Sequence, residues 1–434
     1  MNDGKEAVRF RHFIVFLLAV FVVAQAVFLY FRAPHLDDVF SVSFWRNIGK
    51  VGYVMLLAEE SYVNEAEADF DRLGDNALHG LIGGLDSYSS YLTGTEFEDY
   101  EIPTRQSYAG IGAEVREVDG RVYVMGLNPS GAAGEAGFRP GDWIVEVDGE
   151  DVSGASVGEI VRRLRGEAGT EVEVGVRREG ADGIVRHTVE RRDLTFESVR
   201  EREILPGGAG YVSVGVFGRN TAEELEEAIA ALLENGAEGL VIDLRNNPGG
   251  LLESARDVLE LFLPPDRRFL TVQGREEGVL EEFRTDRPAV VPEDVPVVVL
   301  LNRFSASASE IFAGVLQALG RATVVGETSH GKGSVQSVFQ FEGGDGLSLT
   351  TARYVLPDGR AIEGIGLEPD VRIDWSEEEI LRLSVQASHD FGLDAEAFEE
   401  RFGFAPVEDK ALQAAKRIIA GKEPVPSGAS SSGE

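Results

Sequence analysis

"VPVVVLLNRFSASASEIFAGVLQALG", Val295 to Gly320, passes from an unbroken apolar run, through a short polar turn, into apolar residues spaced three and four apart. An apolar run of this length bounded by turn residues reads as a strand buried on both faces, and the spacing that follows reads as a helix. The same order recurs upstream. "AGYVSVGVF" precedes the helix-like "TAEELEEAIAALLENG", opened by Thr221 and closed by Gly236, and "AEGLVIDLR" then leads through "NNPGG" into "LLESARDVLELFL". Strand-like runs continue at "ATVVGE", "VQSVFQF" and "LSLTTARYVL". Repeated βαβ units of this kind predict an α/β domain over residues 193–375.

Inside the opening stretch, Ser305, Ser307 and Ser309 occupy alternate positions at the strand-to-helix turn. Ser307-Ala-Ser-Glu310 fits a capping box, in which Ser opens the helix and Glu reaches back to its backbone. A serine placed there can equally act as a nucleophile if a base takes its proton. Two other stretches bear on the choice. "DLRNNPGG", Asp243 to Gly250, puts paired glycines between a buried-type strand and a helix, where backbone N–H groups can approach a developing negative charge. "HGKGSVQ", His330 to Gln336, sets Lys332 between two glycines, and a desolvated, neutral lysine is one recurring base for serine. Asp243 and Arg245 read as a structural ion pair.

The rest of the chain is organised around this domain. Residues 44–100 carry helical spacing in "VGYVMLLAEESYV" and "ALHGLIGGL". Residues 107–192 alternate in short runs separated by Gly, Pro and Asp, with one helix-like insertion, "SVGEIVRRLRG", and predict a compact, mostly β module. "DKALQAAKRIIAG" and "EEEILRLSVQASHDF" read as helices before a polar, disorder-prone tail. The expected divisions are 1–35 (anchor or signal segment), 36–106 (helical), 107–192 (β module), 193–375 (α/β core) and 376–434 (helical region and tail).

With 41 basic against 75 acidic residues, a net charge of −34, nucleic acid is an unfavourable partner and a peptide or protein fits better. The absence of cysteine removes disulfides, thiolate chemistry and Cys-type zinc sites. Residues 13–31, "FIVFLLAVFVVAQAVFLYF", are long and apolar enough to span a bilayer as a helix. Lys5, Arg9 and Arg11 before the run and Asp37 and Asp38 after it orient the body outward, into the periplasm of a bacterium. Ala24-Gln25-Ala26 resembles a cleavage site, so a removable signal peptide is the competing reading.

"DLRNNPGGLL", "SASASEIFAG", "GETSHGKGSVQ" and "RYVLPDGRAIEGIGLEPDV", in this order and spacing, resemble the carboxyl-terminal processing peptidases, the tail-specific serine proteases of family S41. "GLIGGLDSYSSYLTGTEF" is similar to the segment that precedes the PDZ domain of those enzymes, and "YAGIGAEV" with "PSGAAGEAGFRPGDWIVEVDGEDV" resembles the PDZ domain itself. The resemblance implies a crotonase/ClpP-like βαβ protease core with an inserted, mostly β PDZ domain and helical N- and C-terminal segments, and no metal or cofactor. It places the nucleophile on Ser307, the lysine base on Lys332 and the glutamine that orients it on Gln336. It puts the oxyanion hole on the Ala308 N–H with a second donor from Gly249 or Gly250. Tyr108, Gly110, Ile111, Gly112 and Ala113 fall on the loop that binds a substrate's terminal carboxylate, and Arg165 on a position that couples peptide binding to the active form. Family members commonly carry an aromatic where this chain has His330, which leaves a rival base near Lys332. Implied partners are proteins with free, mostly apolar C-termini, a helical adaptor or activator, and further copies of the chain through its helical ends. Two readings of other classes are a catalytically inactive, membrane-tethered PDZ scaffold and a crotonase-like acyl-transfer enzyme.

Overall fold

The computed structural model describes residues 41–421, apart from 119, 179, 276–277, 377, 380–381, 384–385, 387–394 and 403. The apolar run 13–31, the tail and most of "EEEILRLSVQASHDF" lie outside the described residues; among those described, no helix is long and apolar enough to cross a membrane. The chain divides into two compact units, one running to Thr93 with Val338–Leu349, the other comprising Gly94–Ser337 and the chain from Thr350 onward.

In the first unit, Ser41 caps the helix Val42–Ser61 through the Phe44 N–H (3.0 Å) and Asp69 caps Phe70–Gly83 through that of Arg72 (2.9 Å). Alongside the expected helices this region adds a strand, Ser90–Leu92, which pairs antiparallel with Gly346–Ser348. None of the twenty residues of Val42–Ser61 is buried, although the helix carries Ile48, Val51, Tyr53, Val54, Leu56 and Leu57.

The core of the second unit is a six-stranded sheet. Its strands are β1 (Val199–Ile204), β2 (Ala209–Val214), β3 (Gly239–Asp243), β4 (Val297–Leu301), β5 (Thr323–Gly326) and β6 (Val371–Arg372), in that spatial order. β1 is antiparallel to β2, and every later pair is parallel. Because strand order follows the chain, right-handed crossovers put the intervening helices α1 (Thr221–Glu234), α2 (Leu252–Leu259) and α3 (Ala308–Ala318) on one face. Leu240, Ile242, Val297, Val299 and Leu301 meet Leu225, Ile229, Val258, Phe312 and Leu316 there. The alternate strand residues Val241, Val298, Leu300 and Val325 then need a second cover. The helix α4 (Lys410–Ile419) supplies it with Ala411, Ala414, Ala415 and Ile418. This two-sided burial is why β3 and β4 lack polar alternation.

The β module contains a six-stranded antiparallel sheet, with 113–118, 121–127, 143–147, 171–177 and 185–190 in that order and Glu150–Asp151 pairing with 143–147 off that path. The helix Val157–Leu164, capped by Ser156, buries Ile160 and Leu164 against Val124, Ile144 and Val174. Ser107–Gly110 pairs separately with Arg192–Thr195. A hairpin formed by Arg268–Gln273 and Val279–Arg284 was not expected from the sequence.

Candidate active site

The loops that leave β3 and β4 are joined to each other by hydrogen bonds. The Asn247 carbonyl accepts from the Ala306 N–H (3.1 Å) and from Ser309 Oγ (3.0 Å), while Ser305 Oγ donates to the Leu244 carbonyl (2.9 Å). Asn302 and Asn246 close the outer edge reciprocally, Asn302 Nδ2 donating to Asn246 Oδ1 (2.9 Å) and the Asn246 N–H to Asn302 Oδ1 (3.0 Å). These bonds sort the three serines. Ser305 and Ser309 are fully buried with their hydroxyls committed to the neighbouring loop, whereas Ser307 is half-buried. Its backbone, φ +54° and ψ −116°, lies in a region costing a non-glycine residue about 1–3 kcal/mol, a kind of strain that clusters at functional sites.

Gly249 packs directly beneath this turn. A Cβ there would lie 2.6 Å from the Ala306 carbonyl oxygen and 2.8 Å from both the Ala308 nitrogen and Ser307 Cβ, so the close approach requires glycine. A Cβ at Gly250 would collide with the Phe217 carbonyl oxygen. The two glycines differ in their donors. The Gly249 N–H is taken by Asn247 Oδ1 (2.9 Å), whereas the N–H groups of Gly250 and Ala308 have no hydrogen-bond partner among the described residues. Both unpartnered donors sit at helix starts, before α2 and at the head of α3, where the backbone carries partial positive charge.

The loop after β5 carries the lysine. Its Gly331 and Lys332 N–H groups donate to the buried Glu310 carboxylate at 2.7 and 2.9 Å, the Ser329 hydroxyl at 2.5 Å, and the Ser307 N–H at 2.7 Å. The Lys332 carbonyl accepts from Tyr354 Oη (2.7 Å) and the Gly333 N–H donates to Glu363 (2.8 Å), so the chain is held on both sides of a half-buried Lys332. His330 donates its N–H to the Ser305 carbonyl (3.0 Å) but is itself exposed. Gln336 Nε2 donates to Ser334 Oγ (3.1 Å) and Thr350 Oγ1 (2.9 Å). The fold brings the serine and lysine loops together at Glu310.

Asp243 and Arg245 form the ion pair expected of them (2.6 Å), extended by Tyr211 Oη on Asp243 (2.8 Å) and by Asp409, at the head of α4, on Arg245 (2.7 Å). Burial acts to lower the Arg245 pKa, but the charges of Asp243 and Asp409 outweigh it and hold the guanidinium well above its ordinary value. This cluster braces the 244–250 loop. The sequence reading missed Asn246, Asn302 and Asp409 as loop supports, and treated Glu310 only as a cap.

In the β module, Gly112 (φ +79°) lies so close to Gly131 that a Cβ would come within 2.5 Å of its Cα. The carbonyls of Ile111 and Gly112 accept from Ala133 (2.9 Å) and Asn128 (2.8 Å), while their own N–H groups have no partner among the described residues. Ala113 begins an edge strand of the six-stranded sheet, beside the helix Val157–Leu164. Arg165 is bonded to Asp99 (2.7 Å) and lies 5.2 Å from the Tyr108 ring centre; Gly110 is buried beside it. Burial pushes the Tyr108 phenol up despite the adjacent guanidinium.

Residues 208–373 match peptidase family S41 and residues 123–178 match the PDZ domain. The carboxy-terminal-processing protease of Bartonella bacilliformis is 32% identical over 368 residues, 84% of this chain and 83% of that one. Carboxy-terminal processing protease CtpA of Bacillus subtilis is 34% identical over 309 residues, 71% of this chain and 65% of that one, so the chain spans about two thirds of that relative's length. The solved structure of an S41 protease candidate from Bacteroides fragilis shares the fold at 16% identity, with a TM-score of 0.51 over 86% of this chain and 98% of that one. On these matches the chain belongs to the carboxy-terminal processing proteases of peptidase family S41 and carries a PDZ domain.

Proposed function

We propose that the protein is a serine endopeptidase that selects substrates by a free, mostly apolar C-terminus and cleaves them by a serine–lysine mechanism. The observation that carries the reading is the sorting of the three serines: only Ser307 keeps a reachable hydroxyl, on a strained turn beside two unpartnered N–H groups. Ser307 Oγ attacks the scissile carbonyl carbon as its proton passes to neutral Lys332 Nζ, and Gln336 orients the amine. The resulting oxyanion accepts from Ala308 N–H and Gly250 N–H; Gly249 contributes its shape, since its own N–H is already committed. The C–N bond then breaks as Lys332 returns the proton to the leaving amine, and water attacks the acyl-enzyme by the same route.

The substrate's terminal carboxylate would accept from the Ile111 and Gly112 N–H groups while its last residues extend the sheet along the free edge of 113–118. Arg165, now engaged by Asp99 and Tyr108, is positioned to report that occupancy to the protease core. A disordered reporter should be cut several-fold faster than the same reporter lacking its last few residues; equal rates would remove the tail-recognition claim. Gly112→Trp should slow cleavage of the tailed reporter but leave hydrolysis of a small ester less affected. Equal losses on both would point to damage of the core.

We also propose a periplasmic location, tethered by residues 13–31, and self-association or adaptor binding through the helical ends. The motivation for the second is Val42–Ser61, where Tyr53, Val54 and Leu56 are 62, 62 and 56% exposed; a helix so apolar on every side calls for a partner. Replacing Val51, Val54 and Leu57 by serine should lower the sedimenting mass of the chain. An unchanged mass, equal to one chain in both proteins, would refute self-association through this helix.

A further inference from the structure

We propose that Glu310 is a positioning residue that sets the separation of the Ser307 and Lys332 main chains; this rests on the serine–lysine reading above. A helix cap needs only the bond from Glu310 Oε2 to the Ser307 N–H, 2.7 Å long. The same oxygen also takes the Lys332 N–H at 2.9 Å, so the two nitrogens lie no more than 5.6 Å apart, the sum of 2.7 and 2.9 Å. The other oxygen takes the Gly331 N–H (2.7 Å), a second main-chain bond to the lysine loop, and also Ser329 Oγ (2.5 Å). All four donors come from the two loops that carry the proposed nucleophile and base, and the side chain is fully buried at their junction. A carboxylate accepts on both oxygens, whereas an amide of the same shape must present an NH2 group to one pair of donors. Glu310→Gln therefore breaks one arm of the clamp without changing the volume that fills the site.

The comparison is made on the full chain with a small ester substrate, so that tail binding plays no part, using Glu310→Gln, Ser329→Ala and Ser307→Ala. Glu310→Gln should lose about 100-fold in kcat with KM changed by less than about three-fold, the size of effect expected from a misplacement near 1 Å. Ser329→Ala removes one of the four bonds, and with it the acceptor of the Leu367 N–H, but spares every main-chain bond from the two loops to the carboxylate; it should keep most of its kcat even where its melting temperature falls as far. Glu310→Gln retaining more than about a third of kcat, or Ser329→Ala losing as much as Glu310→Gln, would overturn the proposal. If Glu310→Gln fails to fold, Glu310→Asp decides, because it keeps the charge but is one methylene too short to span both loops; wild-type kcat there also overturns it. Ser307→Ala separates the two levels. Its retention of activity removes the serine–lysine reading, whereas its inactivity beside a fully active Glu310→Gln removes only the clamp.

Discussion

Ser307→Ala should abolish proteolysis, lowering kcat/KM by about four orders of magnitude or more, because the proposed nucleophile acts as a unit with its base and cannot be removed by degrees. Its fold should be unchanged, since alanine keeps the same Cβ on that turn and the half-buried Ser307 side chain, unlike those of Ser305 and Ser309, is not committed to a carbonyl of the neighbouring loop. Ser305→Ala and Ser309→Ala should behave in the opposite way. Each deletes a buried donor to a carbonyl of the neighbouring loop, Leu244 in one case and Asn247 in the other, and leaves that oxygen without its hydroxyl partner. The expected cost is about 1–3 kcal/mol of stability with clear residual activity. Melting curves and reporter digestion on the three variants separate the classes. An inactive Ser309 variant beside an active Ser307 variant would show that the motif is read two residues out of register.

The fold was legible where burial imposes a pattern. Strands such as "VVVLL", apolar at every position, announce cover on both faces, and the amphipathic helices between them announce crossovers. What could not be read was which element supplies the second cover. α4 was visible as a helix, but its seating on the sheet depends on Ala411, Ala414 and Ala415 being small enough to approach Val298 and Leu300, and small residues carry little periodic signal. The hairpin at 268–284 was passed over for a related reason. Only Phe283 of Val279–Arg284 is buried, so this edge strand shows no alternation. At the site, the residue types that could do chemistry were visible, but the loop supports were not. The Asn246–Asn302 pair joins positions 56 residues apart and has no local signature. Nor can a sequence show that Asn247 consumes the Gly249 N–H and so leaves Gly250 as the available donor.

Lys332→Arg should cost about three orders of magnitude or more, while His330→Phe keeps most activity. Both residues lie within one hydrogen-bonded loop, and both are candidate bases by chemistry alone. The structure separates their surroundings: His330 is exposed, while Lys332 is half-buried with its backbone held by Glu310 and Tyr354. Arginine at 332 keeps a positive charge and similar reach, but its guanidinium has a pKa above about 12 and stays protonated, so it cannot accept the Ser307 proton. A merely electrostatic role for the lysine would survive that change. Phenylalanine at 330 removes the imidazole yet leaves the backbone N–H that donates to Ser305. The two variants belong on one reporter, with circular dichroism as the folding control, across about pH 6 to 9, where a depressed lysine or a histidine titrates. If Lys332 is the base, the wild-type rate rises with pH as the amine loses its proton, and His330→Phe keeps that rise. Substantial turnover by Lys332→Arg together with loss of activity in His330→Phe would replace the serine–lysine pair with a serine–histidine pair.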